Sequence, residues 1–203
     1  MIRAADRILL VGSTGSGKST LARRLFANFG CRRVVIDPKA DIRLEGAVTA
    51  RGIAQLERAL AGPAGVVRFV PTEATPQHYG DAYAAIFARP EPIMLWSDEL
   101  TSLGGAATDQ RVRVYLTQGR GRGKGHLGLT QRPRRIALEA VSEADHILLF
   151  YPVLLRRDLA VLAPDMGLEE HELAEMVREL GPYHAIWFDR REQSLQVVSP
   201  VRA

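Results

Sequence analysis

The sequence predicts an α/β fold, with a mostly parallel central sheet and helices on both of its faces. Three observations lead there. The strongest apolar runs, such as "RILLVG", "IMLW" and "HILLF", lack the polar alternation of a half-exposed sheet, as strands buried on both faces require. Each of the first strand-like runs is followed by a stretch with helical character. A glycine-rich loop joins the first such strand to the first helix.

Taken in order, "RILLVG" is a short buried strand, and "SGKSTLARRLFANFG" is a helix closed by Gly30. "RRVVIDP" is a second strand, stopped by Pro38. "GIAQLERALAG" (52–62) reads as a helix and "GVVRFVP" (65–71) as a strand. "HYGDAYAAIFARP" is helical, and "EPIMLWSDEL" carries a strong central strand. "DQRVRVYLTQGR" reads as a helix despite its alternating valines. "HLGLTQ" (126–131) and "DHILLFY" (145–151) are strands. Helices follow at "RRDLAVL" and "LEEHELAEMVREL", and "YHAIWFD" with "SLQVVSPV" forms a small C-terminal β-hairpin. No repeat, low-complexity tract or linker divides the chain, so residues 1–203 are expected to form one domain.

Bulk properties narrow the class. With 203 residues, 46% of them hydrophobic, the chain can bury a substantial core. Its one cysteine, Cys31, permits no internal disulfide and fits a reducing compartment as a buried structural thiol. No apolar run reaches the roughly 18–20 residues that span a bilayer, and the N-terminus has no signal-peptide pattern. The expectation is a soluble intracellular protein that does not itself cross a membrane. The five histidines lack metal-ligand spacing, so no structural zinc is expected. Trp96 and Trp187 lie on apolar strands and read as core.

Charge is unevenly placed. Arg111 to Arg135 holds eight Lys and Arg and no acid, so the net +4 of the whole chain becomes −4 once this segment is removed. Such a local field points to a polyanion: nucleotide phosphates, a nucleic-acid backbone, or both. A solvated basic helix face is the alternative, although the interleaved glycines of "GRGRGKG" do not suit one.

Two stretches carry phosphate chemistry. "GSTGSGKST", comprising Gly12, Ser13, Thr14, Gly15, Ser16, Gly17, Lys18, Ser19 and Thr20, fits G-x-x-x-x-G-K-[ST] between a strand and a helix. Glycines let backbone N–H groups turn toward phosphate oxygens, and the helix N-terminus adds its dipole. Lys18 would reach the β- and γ-phosphates of ATP, and the Ser19 hydroxyl would ligate Mg²⁺. "IMLWSDEL" ends a buried strand on two adjacent acids, the Walker B pattern. Asp98 would hold the Mg²⁺ shell, and Glu99 would orient and deprotonate the attacking water. The bland reading of the acids is a cap on the next helix. Ser97 stands where an apolar residue is usual.

The Asp-Glu pair resembles the P-loop ATPase branch of RecA-like, additional-strand type, in which an extra strand lies between the P-loop and Walker B strands. That branch places a polar sensor at the inserted strand's tip, where this chain has Thr130 and Gln131, so Gln131 becomes the γ-phosphate sensor. A plain turn residue is the alternative. Together, "GSTGSGKS", "VVIDPKAD", "LWSDEL" and "GRGRGKGHLGLTQRP" resemble the FtsK–HerA superfamily of DNA-pumping ATPases across about residues 7–151. Size sets the chain beside the genome-packaging ATPases of viruses, with a plasmid or cellular member as the alternative.

The resemblance implies a homo-oligomeric ring, a pentamer or hexamer, that hydrolyses ATP with Mg²⁺ and moves double-stranded DNA. It further implies a capsid vertex or portal protein as partner, and a place in the host cytoplasm or on the virion. Counting back from Thr-Gln-Arg-Pro puts Arg120 at the family's arginine-finger position, completing a neighbour's site, with Arg122 as the second candidate for that role. Arg120 as a DNA contact is the other reading. Arg111, Arg113, Arg122 and Lys124 are the expected DNA contacts, and "TSLGGAATDQRVR" (101–113) a pore-side loop. Asp37 and Lys39 belong near the tip of the second strand, in a structural or a functional role. Two rival functions remain at this point: a small-molecule P-loop kinase, and a non-motor nucleotide switch in assembly.

Overall fold

The computed structural model describes residues 2–73, 75–101, 109–151 and 156–199. The chain alternates as expected: β1 (Arg7–Val11), α1 (Lys18–Ala27), β2 (Arg32–Ile36), β3 (Val48–Ala50), α2 (Ile53–Ala61), β4 (Val66–Phe69), α3 (Pro76–Phe87) and β5 (Ile93–Ser97). There follow α4 (Gln110–Gln118), β6 (Lys124–Thr130), α5 (Glu139–Ser142), β7 (His146–Phe150), α6 (Arg156–Leu162), α7 (Glu170–Arg178), β8 (Ala185–Asp189) and β9 (Ser194–Val198).

Among the described residues the strands form one nine-stranded sheet in the order β3-β4-β2-β5-β6-β1-β7-β8-β9. The first seven in that order run parallel, and β8 and β9 close the far edge antiparallel. β6 lies between β1 and β5, pairing Val11 with Thr130 on one side and Ser97 with Gly128 on the other. This is the inserted strand expected from the Asp-Glu pair.

Side-chain alternation splits each strand between two cores. On β1, Leu9 and Val11 join the larger core, which takes in residues of α2 to α7 such as Leu56, Tyr79, Tyr115 and Leu173. Ile8 and Leu10 face α1, where Ala22 and Phe26 pack on Met94, Trp96 and Leu127. Phe26 meets Trp96 edge to face, with ring centroids 5.4 Å apart. Both faces are therefore covered, and every residue of β1, β5, β6 and β7 is buried. That is why these strands read as unbroken apolar runs.

Several expectations need adjusting. α1 ends at Ala27, with Asn28 as its C-cap, and does not reach Gly30. β3 is a three-residue edge strand whose sequence carries no pattern. β6 begins at Lys124, two residues before the expected start. The basic run ahead of it forms a 3₁₀ turn, Gly119–Arg122. The hairpin is not a separate appendage, because β8 pairs with β7 and extends the main sheet. Trp187 is only partly buried: it packs against the α1-side core from β8 and donates to His146 Nδ1 at 3.3 Å, so it borders the core and is not enclosed by it. Cys31 is likewise half-buried, and burial raises its thiol above the ordinary range, away from reactivity. No helix among the described residues is long and apolar enough to cross a membrane.

Candidate nucleotide site

In a parallel sheet the loops that leave the C-terminal strand edges converge, and ligands settle there. Here the loops after β1, β2, β5 and β6 surround one cavity of about 570 Å³. Thr14, Gly15, Ser16, Gly17, Lys18, Ser19 and Thr20 line it, together with Asp98, Glu99 and Gln131. Three separately expected features thus meet in one place.

The first loop is shaped by its glycines. A Cβ on Gly12 would lie 2.8 Å from both Phe150 Cβ and Ser16 Oγ, so no larger residue fits as the chain leaves β1. Gly17 has φ 103°, a left-handed value that is strained for any side-chain-bearing residue, and it caps α1 without a side-chain hydrogen bond. The first N–H groups of α1 are thereby left to an anion. Lys18 is 8% exposed, and its ammonium donates to the carbonyls of Gly12 and Ser13, each at 2.7 Å. Burial lowers this ammonium to about 8, against the opposing pull of Glu99 and Asp98. Gly12 and Ser13 sit beneath the cavity as acceptors for Lys18 and do not line it.

Asp98 and Glu99 follow β5, and each is 8% exposed. Burial, with Asp41, Asp37 and Glu99 close by, pushes Asp98 up to about 6, partly offset by Lys39. Asp98 and Ser19 line the same cavity, a carboxylate and a hydroxyl of the kind that can share a divalent cation. Among the described residues no group of three or more His, Cys, Asp or Glu is placed to hold a metal. Mg²⁺ shared with a nucleotide needs only one or two protein ligands, and Ser19 and Asp98 would supply them.

Glu99 has φ 60°, a left-handed backbone uncommon outside glycine and costing on the order of 1 kcal/mol or more. Its carboxylate is gripped from both sides. Thr101 Oγ1 donates to Oε1, and Gln131 Nε2 donates to Oε2 at 2.9 Å. The Gln131 carbonyl oxygen in turn accepts from Thr14 Oγ1 at 3.1 Å. Turning the amide over would set its oxygen against a carboxylate, so this network fixes its orientation. A continuous chain of polar contacts therefore runs from the glycine-rich loop through Gln131 to Glu99.

The serine at position 97 has a structural reason. Its hydroxyl is buried, sharing hydrogen bonds with Tyr83 Oη at 2.7 Å and His126 Nε2 at 3.2 Å. Tyr83 and His126 also bond each other at 3.1 Å. Burial drives His126 down to about 3, so this ring is neutral. A polar triad braces β5 and β6 directly below the two acids.

Sequence reading alone missed Tyr183 and Asp41, which also line the cavity. Tyr183 sits in the turn before β8 with φ 64°, 55% exposed, and its ring lies 3.7 Å from where a Cβ on Gly17 would be. Its only signal was an aromatic residue in the Gly-Pro turn "GPYHAI". Of the pair in "IDPKAD", Asp37 is structural: Arg68 bonds its Oδ2 at 2.6 and 2.9 Å, and the N–H groups of Asp41 and Ile42 complete its partners. Lys39 lines the cavity.

The first part of the basic segment, Arg111 to Lys124, lies elsewhere. Arg120, Arg122 and Lys124 occupy the N-terminal edge of the sheet, one strand length of ~20 Å from the cavity. Lys124 cannot grip DNA as expected, because it is fully buried, with its ammonium held by the carbonyls of Arg89 (2.8 Å) and Glu91. The glycines that made it look exposed instead let the turn tuck it beneath the α3–β5 connection. Arg111 is tied to α3 through Asp81, beside Gly80, and at 2.7 Å to Asp109, the N-cap of its own helix. Arg113 is half-exposed, 3.5 Å from Glu139, and Arg122 lies over the Phe87 ring at 4.5 Å. Arg120 is 46% exposed and pairs with buried Asp145 at 2.9 Å. Most of the expected pore-side loop, residues 102–108, lies outside the described residues.

No protein-family model matches the chain, and no curated protein matches it. Solved structures do. The genome packaging NTPase B204 from Sulfolobus turreted icosahedral virus 2, in complex with sulfate, superposes with a TM-score of 0.79 at 19% identity, covering 99% of both chains. The chain has the fold of a viral genome-packaging NTPase. The same NTPase in complex with ATP-gammaS gives 0.78 at 19% identity, covering 99% of this chain and all of that one. B204, the DNA-packaging ATPase from Sulfolobus turreted icosahedral virus, gives 0.77 at 16% identity with equal coverage. The fold implied by the FtsK–HerA resemblance is the fold found.

Proposed function

We propose that the protein is a Mg²⁺-dependent ATPase that assembles into a homo-oligomeric ring and drives double-stranded DNA into a viral capsid. The observation that carries this reading is the Thr14–Gln131–Glu99 chain, which ties a carboxylate to the phosphate loop through the inserted strand. A kinase has no use for a carboxylate aimed at water beside the γ-phosphate, whereas an ATPase does.

The roles follow from position. Backbone N–H groups of Gly15 to Thr20 cradle the phosphates, and Lys18 moves from the loop carbonyls onto the β- and γ-phosphates. Tyr183 offers a ring beside the start of α1, where the base or ribose would lie. Mg²⁺, held by Ser19 and Asp98, would neutralise charge on the β- and γ-phosphates. Glu99 orients a water in line with the γ-phosphate and accepts its proton, while Gln131 fixes the carboxylate and registers whether the γ-phosphate is present. Arg120 is too far from its own cavity to serve it, which supports action on a neighbour's nucleotide across a ring interface. The likeness to packaging NTPases supports DNA as cargo, with a capsid vertex or portal protein as the docking partner in the host cytoplasm.

The test combines the ATPase rate with and without duplex DNA and the particle mass in solution. DNA-stimulated hydrolysis by a ring-sized particle is expected. A phosphorylated small molecule as product, or a monomer indifferent to DNA, would reject the reading.

A further inference from the structure

A second polar cleft, of about 240 Å³, lies beside the nucleotide cavity on the same sheet edge, lined by Arg132, Arg134, Arg135, Arg157 and Asp158. Arg132 is the residue after Gln131, and its guanidinium lies 3.2 Å from the buried carboxylate of Asp158. Pro133–Arg135 is a 3₁₀ turn, closed by the Arg135 N–H donating to the Arg132 carbonyl at 2.8 Å, and it presents Arg134 and Arg135 to solvent. Arg157 faces them from the first turn of α6. Among the described residues, Arg134, Arg135 and Arg157 have no acidic partner, so four guanidinium groups share one carboxylate.

The geometry points to this cleft as a docking site for the phosphate backbone of duplex DNA, linked to ATP hydrolysis through the Gln131–Arg132 step. This rests on the DNA-translocase reading above and relocates its DNA contact from Arg111 and Lys124, whose charges are occupied within the fold. Guanidinium groups stay charged at any physiological pH and match phosphate oxygens in pairs. Among the described residues the lining has no aromatic to stack a base, so it suits duplex backbone and not single strands. Among the described residues it also lacks the apolar centre of a protein–protein contact. A phosphate drawn to Arg132 competes with Asp158, and any shift of the turn passes to Gln131 and so to the Glu99 carboxylate.

The experiment uses the full chain and its variant Arg134→Ala/Arg135→Ala/Arg157→Ala, which leaves Arg132 and the ATP site intact. Wild-type basal hydrolysis is expected in the variant, with the DNA stimulation lost. The slope of log affinity for duplex DNA against log salt should become shallower by about 2 to 3, as each lost phosphate contact removes ~0.9. If that variant does not fold, Arg157→Glu alone should weaken duplex binding at least tenfold. Unchanged slope and stimulation in a folded variant overturn the proposal while leaving the translocase reading in place. Wild-type protein that neither binds duplex DNA nor responds to it overturns both. Single-stranded DNA binding as tightly as duplex, or polyaspartate of equal charge competing as well as duplex, assigns the cleft to a different ligand and also overturns it.

Discussion

Replacing Gln131 by alanine tests the polar chain at its centre. In the folded protein the Glu99 carboxylate has a donor on each oxygen, from Thr101 and from Gln131 at 2.9 Å. Loss of a hydrogen bond to a charged group costs ~1.5–3 kcal/mol. With Gln131 in its proposed role of aiming Glu99 at the attacking water, the cost falls on the hydrolytic step, and kcat should drop ~10- to 150-fold. Affinity for a non-hydrolysable ATP analogue should change by less than about threefold, since the phosphate cradle is backbone and Lys18. Thr14→Val removes a neutral partner of the same amide, worth ~0.5–1.5 kcal/mol, so its effect on kcat should be about tenfold at most. It should largely vanish in the Gln131→Ala background, since residues in one network are not additive. Steady-state phosphate release and analogue binding by fluorescence read all four proteins. Gln131→Ala within twofold of wild-type kcat, or strict additivity with Thr14→Val, would refute the chain.

Other expectations follow from the same geometry. Glu99→Gln should bind the ATP analogue normally yet turn over at least about 100-fold more slowly, as loss of a general base does; near-normal phosphate release would remove Glu99 as the base. In mixed assemblies, Arg120→Ala subunits should depress hydrolysis at wild-type neighbours, whereas activity strictly proportional to the wild-type fraction would exclude a trans finger. The Lys18 ammonium is needed in its charged form and titrates at about 8 in the folded chain, so analogue Kd should rise toward tenfold per pH unit above that value; a flat Kd through pH 9 would contradict it. His126 is neutral in the fold, at about 3, while the unfolded chain protonates it below about 6.5. Stability should therefore fall with decreasing pH by up to ~1.4 kcal/mol per unit more than in His126→Asn, as read by denaturant midpoints; identical slopes would refute the buried triad.

Much of this was legible in sequence because it is local or periodic. Every major strand announced itself as an apolar run, and the glycine-rich loop, Asp98, Glu99 and Gln131 each ended a strand whose position β-α alternation fixed. The place of β6 between β1 and β5 was implied by the resemblance of the Asp-Glu pair to the additional-strand ATPases. What was not legible depends on partners far apart in the chain. The Thr14–Gln131 contact spans 117 residues, and Tyr183 reaches the first loop from the turn before β8. Lys124 misled because charge and flanking glycine read as surface, whereas its stem lies on a fully buried strand and its ammonium donates to two backbone carbonyls. Arg111 misled for a related reason, since Asp81 on α3 neutralises it from 30 residues away. Charge density located the basic region, but pairing decided which of its charges remain available to a ligand.

The most direct test of the account is displacement of a third strand from a triplex placed at the end of a duplex. An assembly that advances along double-stranded DNA should release that strand with ATP, and neither with a non-hydrolysable analogue nor as the Glu99→Gln variant. Brisk ATP hydrolysis that never displaces the third strand would contradict the central claim.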